Sequence, residues 1–169
     1  AGAGLMICLG DRTDVRHYNT HLLPALLPSS LNGVVGTPRR TETHHTLRVP
    51  FPSHPLFLGL AQGEPARGPR FFAHYRVRPN AGTQPVLSLN TGSPLLLEGR
   101  IGSGRVVLFA SAIESELGWT DLPLTGLFVP LTHRLCRYLA SGAFGQADYT
   151  VGQSVFRDIR GQPAREALL

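Results

Sequence analysis

The hydrophobic pattern changes period three times along the chain. Leu5 to Leu9 form a short continuous apolar run closed by Gly10 and Asp11, the pattern of a strand buried on both faces entering a turn. Val15, Tyr18, Leu22 and Leu26 then keep helical spacing, with Asp11 or Thr13 able to cap the helix. Pro24 has no amide proton and should end or kink that helix near Leu23. Residues 28 to 70 are rich in Pro, Gly, Thr and His, which predicts little regular structure beyond short strands near Val34 and Leu47. A turn or two of helix is expected after Ser53, whose hydroxyl can cap it.

The middle of the chain reads as β. Phe71, Ala73, Tyr75 and Val77 alternate with Phe72, His74, Arg76 and Arg78, giving one apolar face and one wet face. Three further apolar runs, at residues 85–89, 94–100 and 105–110, are separated by Asn90-Thr91-Gly92-Ser93 and Gly102-Ser103-Gly104. Those separators are turn sequences, so the three runs form an antiparallel meander, with the last as its central strand. Asp121 can cap the next helix and Pro123 suits its first turn. Leu127, Leu131, Leu135, Tyr138 and Leu139 make that helix's buried stripe, with Arg134 and Arg137 opposite. Pro130 should kink the helix or mark its true start, and Gly142 is a natural C-terminal cap. Ser141 to Asp148 read as a linker, and the alternation from Tyr149 as the first strand of a following β segment.

Hydrophobic residues make up 42% of the 169-residue chain, enough for a core of its own and too many for disorder. Both ends read as cut from a larger protein, and no internal apolar run approaches the ~20 residues of a membrane helix. The formal charge is +5, yet all 16 basic residues are Arg and only Arg39 and Arg40 are adjacent. Scattered arginines without interleaved aromatics do not make a nucleic-acid surface. Cys8 and Cys136 each sit in an apolar stretch, which is core usage and not a disulfide or metal framework.

Candidate chemistry is sparse. The Gly99 to Arg105 stretch has the glycines of a phosphate loop, but a strand follows it where a nucleotide loop needs a helix N-terminus. It reads as a hairpin turn. His44, His45, His54 and His74 fall in loops and on the wet strand face, without the tight spacing of a zinc site. Glu114 and Glu116 follow a strand but read as a solvated rim. No cofactor and no metal is expected.

Ile7-Cys8-Leu9-Gly10 resembles the nucleophile turn of class I glutamine amidotransferases. There a Cys stands between strand and helix, and the amide that follows it helps form the oxyanion hole. That family normally has Gly two residues before the Cys, where this chain has Met6, and a His-x-Glu pair after a late strand. Here Ser111, Ala112, Ile113 and Glu114 follow the corresponding strand. A thiol without that base is expected to be structural and sealed in the core.

A wider resemblance runs over about residues 4 to 142. The segments 4–19, 94–111 and above all Trp119 to Leu131 are similar to the amidotransferase-like domain of Bat-type, von Willebrand A-associated bacterial membrane proteins. The resemblance implies a flavodoxin-like or amidotransferase-like three-layer α/β sheet carrying an added antiparallel meander. It also implies opening βα units before Ala1, a domain over 1–142, and a linker and β segment over 143–169. It implies further a periplasmic location on a membrane-anchored parent, with protein partners in an envelope complex and no nucleic acid. Any membrane contact would come through parts of the parent outside this chain.

The function expected is therefore non-catalytic: binding, sensing or assembly, with Trp119 and Asp121 as a possible interaction loop. The alternative is an active cysteine amidotransferase or hydrolase using Cys8, with His17 or His133 recruited as its base. A carbohydrate-related role, as in trehalose-utilisation relatives of this fold, rests on analogy of fold alone.

Overall fold

The computed structural model describes residues 2–40, 42–49, 54–57 and 68–144. The first apolar run forms β1 (Gly4–Cys8). The meander forms β6 (Thr83–Leu89), β7 (Pro94–Ile101) and β8 (Gly104–Phe109). With β3 (His45–Arg48) and β4 (Arg70–Phe71) they build one six-stranded sheet in the order β1-β8-β7-β6-β3-β4. The fold is thus α/β with a mixed sheet: β1 and β8 run parallel and the remaining neighbours antiparallel. β8 lies inside the sheet, and Val107 and Leu108 are fully covered. Ile101 pairs with Gly104 across Gly102-Ser103, and Gly102 takes φ +56°. A hairpin needs that left-handed turn, so the glycine stretch closes two strands.

The expectation for β1 needs correction. Among the described residues its ladder partner is β8 alone, so it is an edge strand and its residues are exposed or half-buried. An apolar run shows that a strand is apolar on both faces, but not how many neighbours it has.

β2 (Ser29–Gly36) is longer than composition suggested. It pairs antiparallel with β5 (Ala73–Pro79) in a separate two-stranded sheet, with a bulge between Asn32 and Val34. The alternating segment is therefore split: Phe71 belongs to β4 and Ala73 onward to β5. The amides of Phe72 and Ala73 both donate to the Trp119 carbonyl, at 2.8 and 3.2 Å. Its wet face is also only partly wet, because Phe72 and His74 are buried while Arg76 stays exposed.

Helical structure begins with α1 (Val15–His17), continues as a π-helical turn (Tyr18–Leu22) and ends in α2 (Leu23–Leu26). The cap is Asp14 rather than Asp11 or Thr13: its Oδ1 accepts from the Arg16 and His17 amides at 2.9 and 3.1 Å. Pro24 does not end the helix. The Leu23 amide bonds back to Tyr18, five residues away, and a turn widened in that way relieves the clash of a proline ring with the preceding carbonyls.

After β8, a 3-10 turn (Leu122–Leu124) leads to α3 (Phe128–Phe144). Pro130 falls in the first turn of α3, so it marks the start, and the helix runs past Gly142. Leu131 and Leu135 are buried, and Leu127, Tyr138 and Leu139 pack beside them. Val106 and Leu108 join a core with Leu23, Leu27, Tyr75 and Trp119. Val107 and Phe109 join a second core with α3 and Leu56-Phe57. Alternate residues of β8 therefore feed opposite faces of the sheet. Residues 54–57 form a turn, with the Phe57 amide on the His54 carbonyl at 2.8 Å. The helix expected over 54–60 is thus only a turn where it is described, and the linker expected from Ser141 is still α3 through Phe144; residues 58–60 and the segment from 145 onward lie outside the described residues.

Candidate functional site

β1 and β8 end together, with Cys8 opposite Phe109 in register. The chain leaves both strands at the carboxyl edge, the position where open α/β sheets place their ligands. A cavity of about 520 Å³ opens there, lined among others by Cys8, Asp11, Arg12, Tyr18 and Glu114. Its rim is stiffened from below. The Gly10 amide donates to Thr13 Oγ1 at 3.0 Å, and the Tyr75 hydroxyl donates to the Gly10 carbonyl at 3.0 Å.

Cys8 is exposed at this cavity, not sealed in the core, because β1 is an edge strand. Desolvation by its surroundings nevertheless pushes the thiol up to about 11. The backbone beside it is that of a strand. The Leu9 amide, the expected oxyanion donor, gives its hydrogen to the Phe109 carbonyl at 3.0 Å. Among the described non-glycine residues only Arg39 has positive φ, so Cys8 stands on no strained elbow. Neither His17 nor His133 lines the cavity. His17 stacks on His21 at 4.8 Å on the helical segment, and His133 is exposed on α3.

The loop after β8 is bound to the sheet. Trp119 is 3% exposed and stacks on Tyr75, so its indole is not offered to a partner. Asp121 does not cap the turn after it. Its carboxylate accepts from the Arg70 amide at 2.6 Å and from Arg70 Nε at 2.7 Å. The Leu122 amide is capped by Thr120 Oγ1 at 3.0 Å instead.

The histidines separate. His44 lies beside Phe72, and His45 meets His74 edge-on at 5.4 Å. His54 belongs to a cluster that sequence reasoning missed. Glu98 on β7 accepts from Tyr138 Oη at 2.6 Å and from Gln84 Nε2 at 2.5 Å, with His54 Nε2 at 3.5 Å. Burial alone would raise the Glu98 carboxyl, but the hydrogen bonds from Tyr138 and Gln84 and the nearby His54 hold it below the usual range. The one legible signal was a Glu on the face of a strand where its neighbours are apolar.

No family model matches the sequence, and no curated protein matches it. Among the solved structures that share the fold are two from Salmonella typhimurium, both described as cytoplasmic proteins. STM3548 aligns with a TM-score of 0.65 and 18% identity over 82% of this chain and 55% of its own length. STM1381, from strain LT2, aligns with a TM-score of 0.57 and 18% identity over 85% and 55%. The chain therefore spans little more than half of each, and at this identity the likeness shows the fold alone. The expected periplasmic location is overturned by these two neighbours, which are described as cytoplasmic. In addition, no helix among the described residues is long and apolar enough to cross a membrane.

Proposed function

We propose that the chain is a non-catalytic, amidotransferase-like binding domain that takes its ligand in the cavity at the carboxyl ends of β1 and β8. The observation that carries this reading is the Leu9 amide, spent on the Phe109 carbonyl at 3.0 Å where an amidotransferase needs it free for the oxyanion. The thiol supports it: burial pushes its pKa up to about 11, so it is held in the protonated, unreactive form at pH 7. Helical layers on both faces of the sheet fit the finer flavodoxin-like description, and Trp119 to Leu131 fits the Bat-type domain. The cytoplasmic setting of the two Salmonella proteins is carried over as part of the proposal. Free Cys8 and Cys136 suit that reducing compartment.

A second reading, a cysteine amidotransferase or hydrolase, draws on the exposure of Cys8 at the cavity with Glu114 on the same lining. One experiment separates the two. In a Cys136→Ser background, the rate of iodoacetamide alkylation of Cys8 is followed from pH 6 to 11, and ammonia release from glutamine is measured alongside. Binding predicts alkylation that climbs steadily with pH up to about 11, and no ammonia. A plateau reached below pH 8, or ammonia release lost in Cys8→Ser with folding intact, overturns the proposal.

A further inference from the structure

Arg39, the one described non-glycine residue with a positive φ, takes +64°. It is the third residue of a turn, Thr37 to Arg40, closed by the Arg40 amide on the Thr37 carbonyl at 3.2 Å. Pro38 suits the second position of such a turn, but the third favours glycine, and any larger residue there is strained. The side chain in that position makes a specific contact. The Arg39 amide donates to the Gly118 carbonyl at 2.7 Å, and its guanidinium Nη2 to the Glu116 carbonyl at 3.0 Å. Gly118, itself at φ +66°, leaves room for this approach, because a Cβ there would run into the Arg39 Cγ. The turn has its own footing, since the Thr37 amide donates to the Phe72 carbonyl at 3.1 Å. The clasped segment is a wall of the Cys8 cavity, which Ile113, Glu114 and Leu117 all line. Buried Ala112 and Trp119 fix its two ends. Among the described residues, the hydrogen bonds that reach 114–118 from another element come from Arg39.

We infer that Arg39 is a positioning residue of the Cys8 cavity: its clasp on the Glu116 and Gly118 carbonyls holds the wall that carries Glu114 and Leu117. Backbone strain persists where surrounding contacts over-determine it, and it gathers at ligand clamps. Glycine would fit the turn without strain, but it would leave the Glu116 carbonyl without its donor and the wall free to draw back. Burial among these surroundings pushes the Cys8 thiol up to about 11. Asp11, Arg12, Tyr18 and Glu114 are the other titratable groups on the lining. A retreating wall would hydrate the thiol and take Glu114 away from it, and both changes lower a thiol pKa. This inference rests on the reading of the cavity as a ligand site, whose shape the clasp sets.

The test uses the whole chain in a Cys136→Ser background and follows iodoacetamide alkylation of Cys8 against pH, with Trp119 emission as the check on folding. Arg39→Gly and Arg39→Asn both suit the left-handed backbone and both lack the guanidinium. Each should lower the pH midpoint of alkylation by about one unit, a tenfold change in acidity, while Trp119 emission stays native. Arg40→Gln, one residue on, removes a guanidinium that pairs with Glu42 instead and should leave the midpoint unchanged. An unchanged midpoint in either Arg39 variant, an equal drop in Arg40→Gln, or a drop that comes with unfolded Trp119 emission would overturn the inference. Ammonia release from glutamine would overturn the ligand-site reading instead, and the midpoints of the two Arg39 variants would still decide this one.

Discussion

Trp119 stacks on Tyr75 with ring centroids 5.5 Å apart and 26° between planes. This contact joins the loop after β8 to the floor of the Cys8 cavity, since the Tyr75 hydroxyl also holds the Gly10 carbonyl. Trp119 is the only tryptophan in the chain, so its fluorescence reports this contact without interference. Its emission should be blue-shifted and resist acrylamide in the native state. Trp119→Ala should cost about 3–5 kcal/mol, the usual range for emptying a buried aromatic site. Strong native-state quenching would contradict the packing.

Leu131 and Val129 lie two residues apart on α3 and face opposite ways. Leu131 is 3% exposed against the sheet, and Val129 is 70% exposed. Leu131→Ala should therefore cost about 2–5 kcal/mol, and Val129→Ala less than about 0.5 kcal/mol. Urea midpoints of the two variants decide the matter, and equal shifts would mean the helix face is misassigned.

The helix stripe was legible because five apolar residues at helical spacing leave one face to bury. The meander was legible because glycine turns separate its runs, and Gly102 at φ +56° confirms the hairpin. Neighbour relations were not legible. Alternation along Ala73–Pro79 indicates two faces, but the side chain that covers His74 comes from His45, twenty-nine positions earlier. The Glu98 cluster draws on four elements, β6, β7, α3 and the 54–57 turn, with His54 and Tyr138 84 residues apart in sequence. Local periodicity carries no record of such a meeting. Cys8 shows the same limit: its apolar setting is evident, but its place on an edge strand depends on which strand lies beside it.

Asp121 and Arg70 should behave as a clasp and not as a helix cap. Asp121→Ala removes both acceptors, one for the Arg70 amide and one for its Nε. The pair is partly exposed, so screening limits the loss to about 1–2 kcal/mol. Arg70→Gln keeps the amide contact and should cost less than about 1 kcal/mol. Hydrogen exchange should quicken at the Arg70 amide in Asp121→Ala and stay slow in Arg70→Gln. If both variants lose that protection equally, the backbone contact is not the one that matters.

His74 should make the protein acid-sensitive. It is 1% exposed, and neither ring nitrogen has a hydrogen-bond partner among the described residues. Burial, with His45 and Arg76 nearby, lowers it from 6.5 to about 4. A histidine with a folded-state pKa below its unfolded value binds its proton more readily when the chain opens. Its contribution is therefore present above pH 6.5 and is lost as pH falls from 6.5 toward 4. By pH 4.5 the loss from this group should reach about 2–3 kcal/mol. Other groups titrate in the same window, so the decisive quantity is a difference. Urea unfolding of the wild type and of His74→Phe should be compared at pH 7 and pH 4.5. Phenylalanine fills a similar volume and carries no proton, so the variant should lose about 2–3 kcal/mol less on acidification. Identical losses in both proteins would mean that His74 is hydrated or partnered in solution.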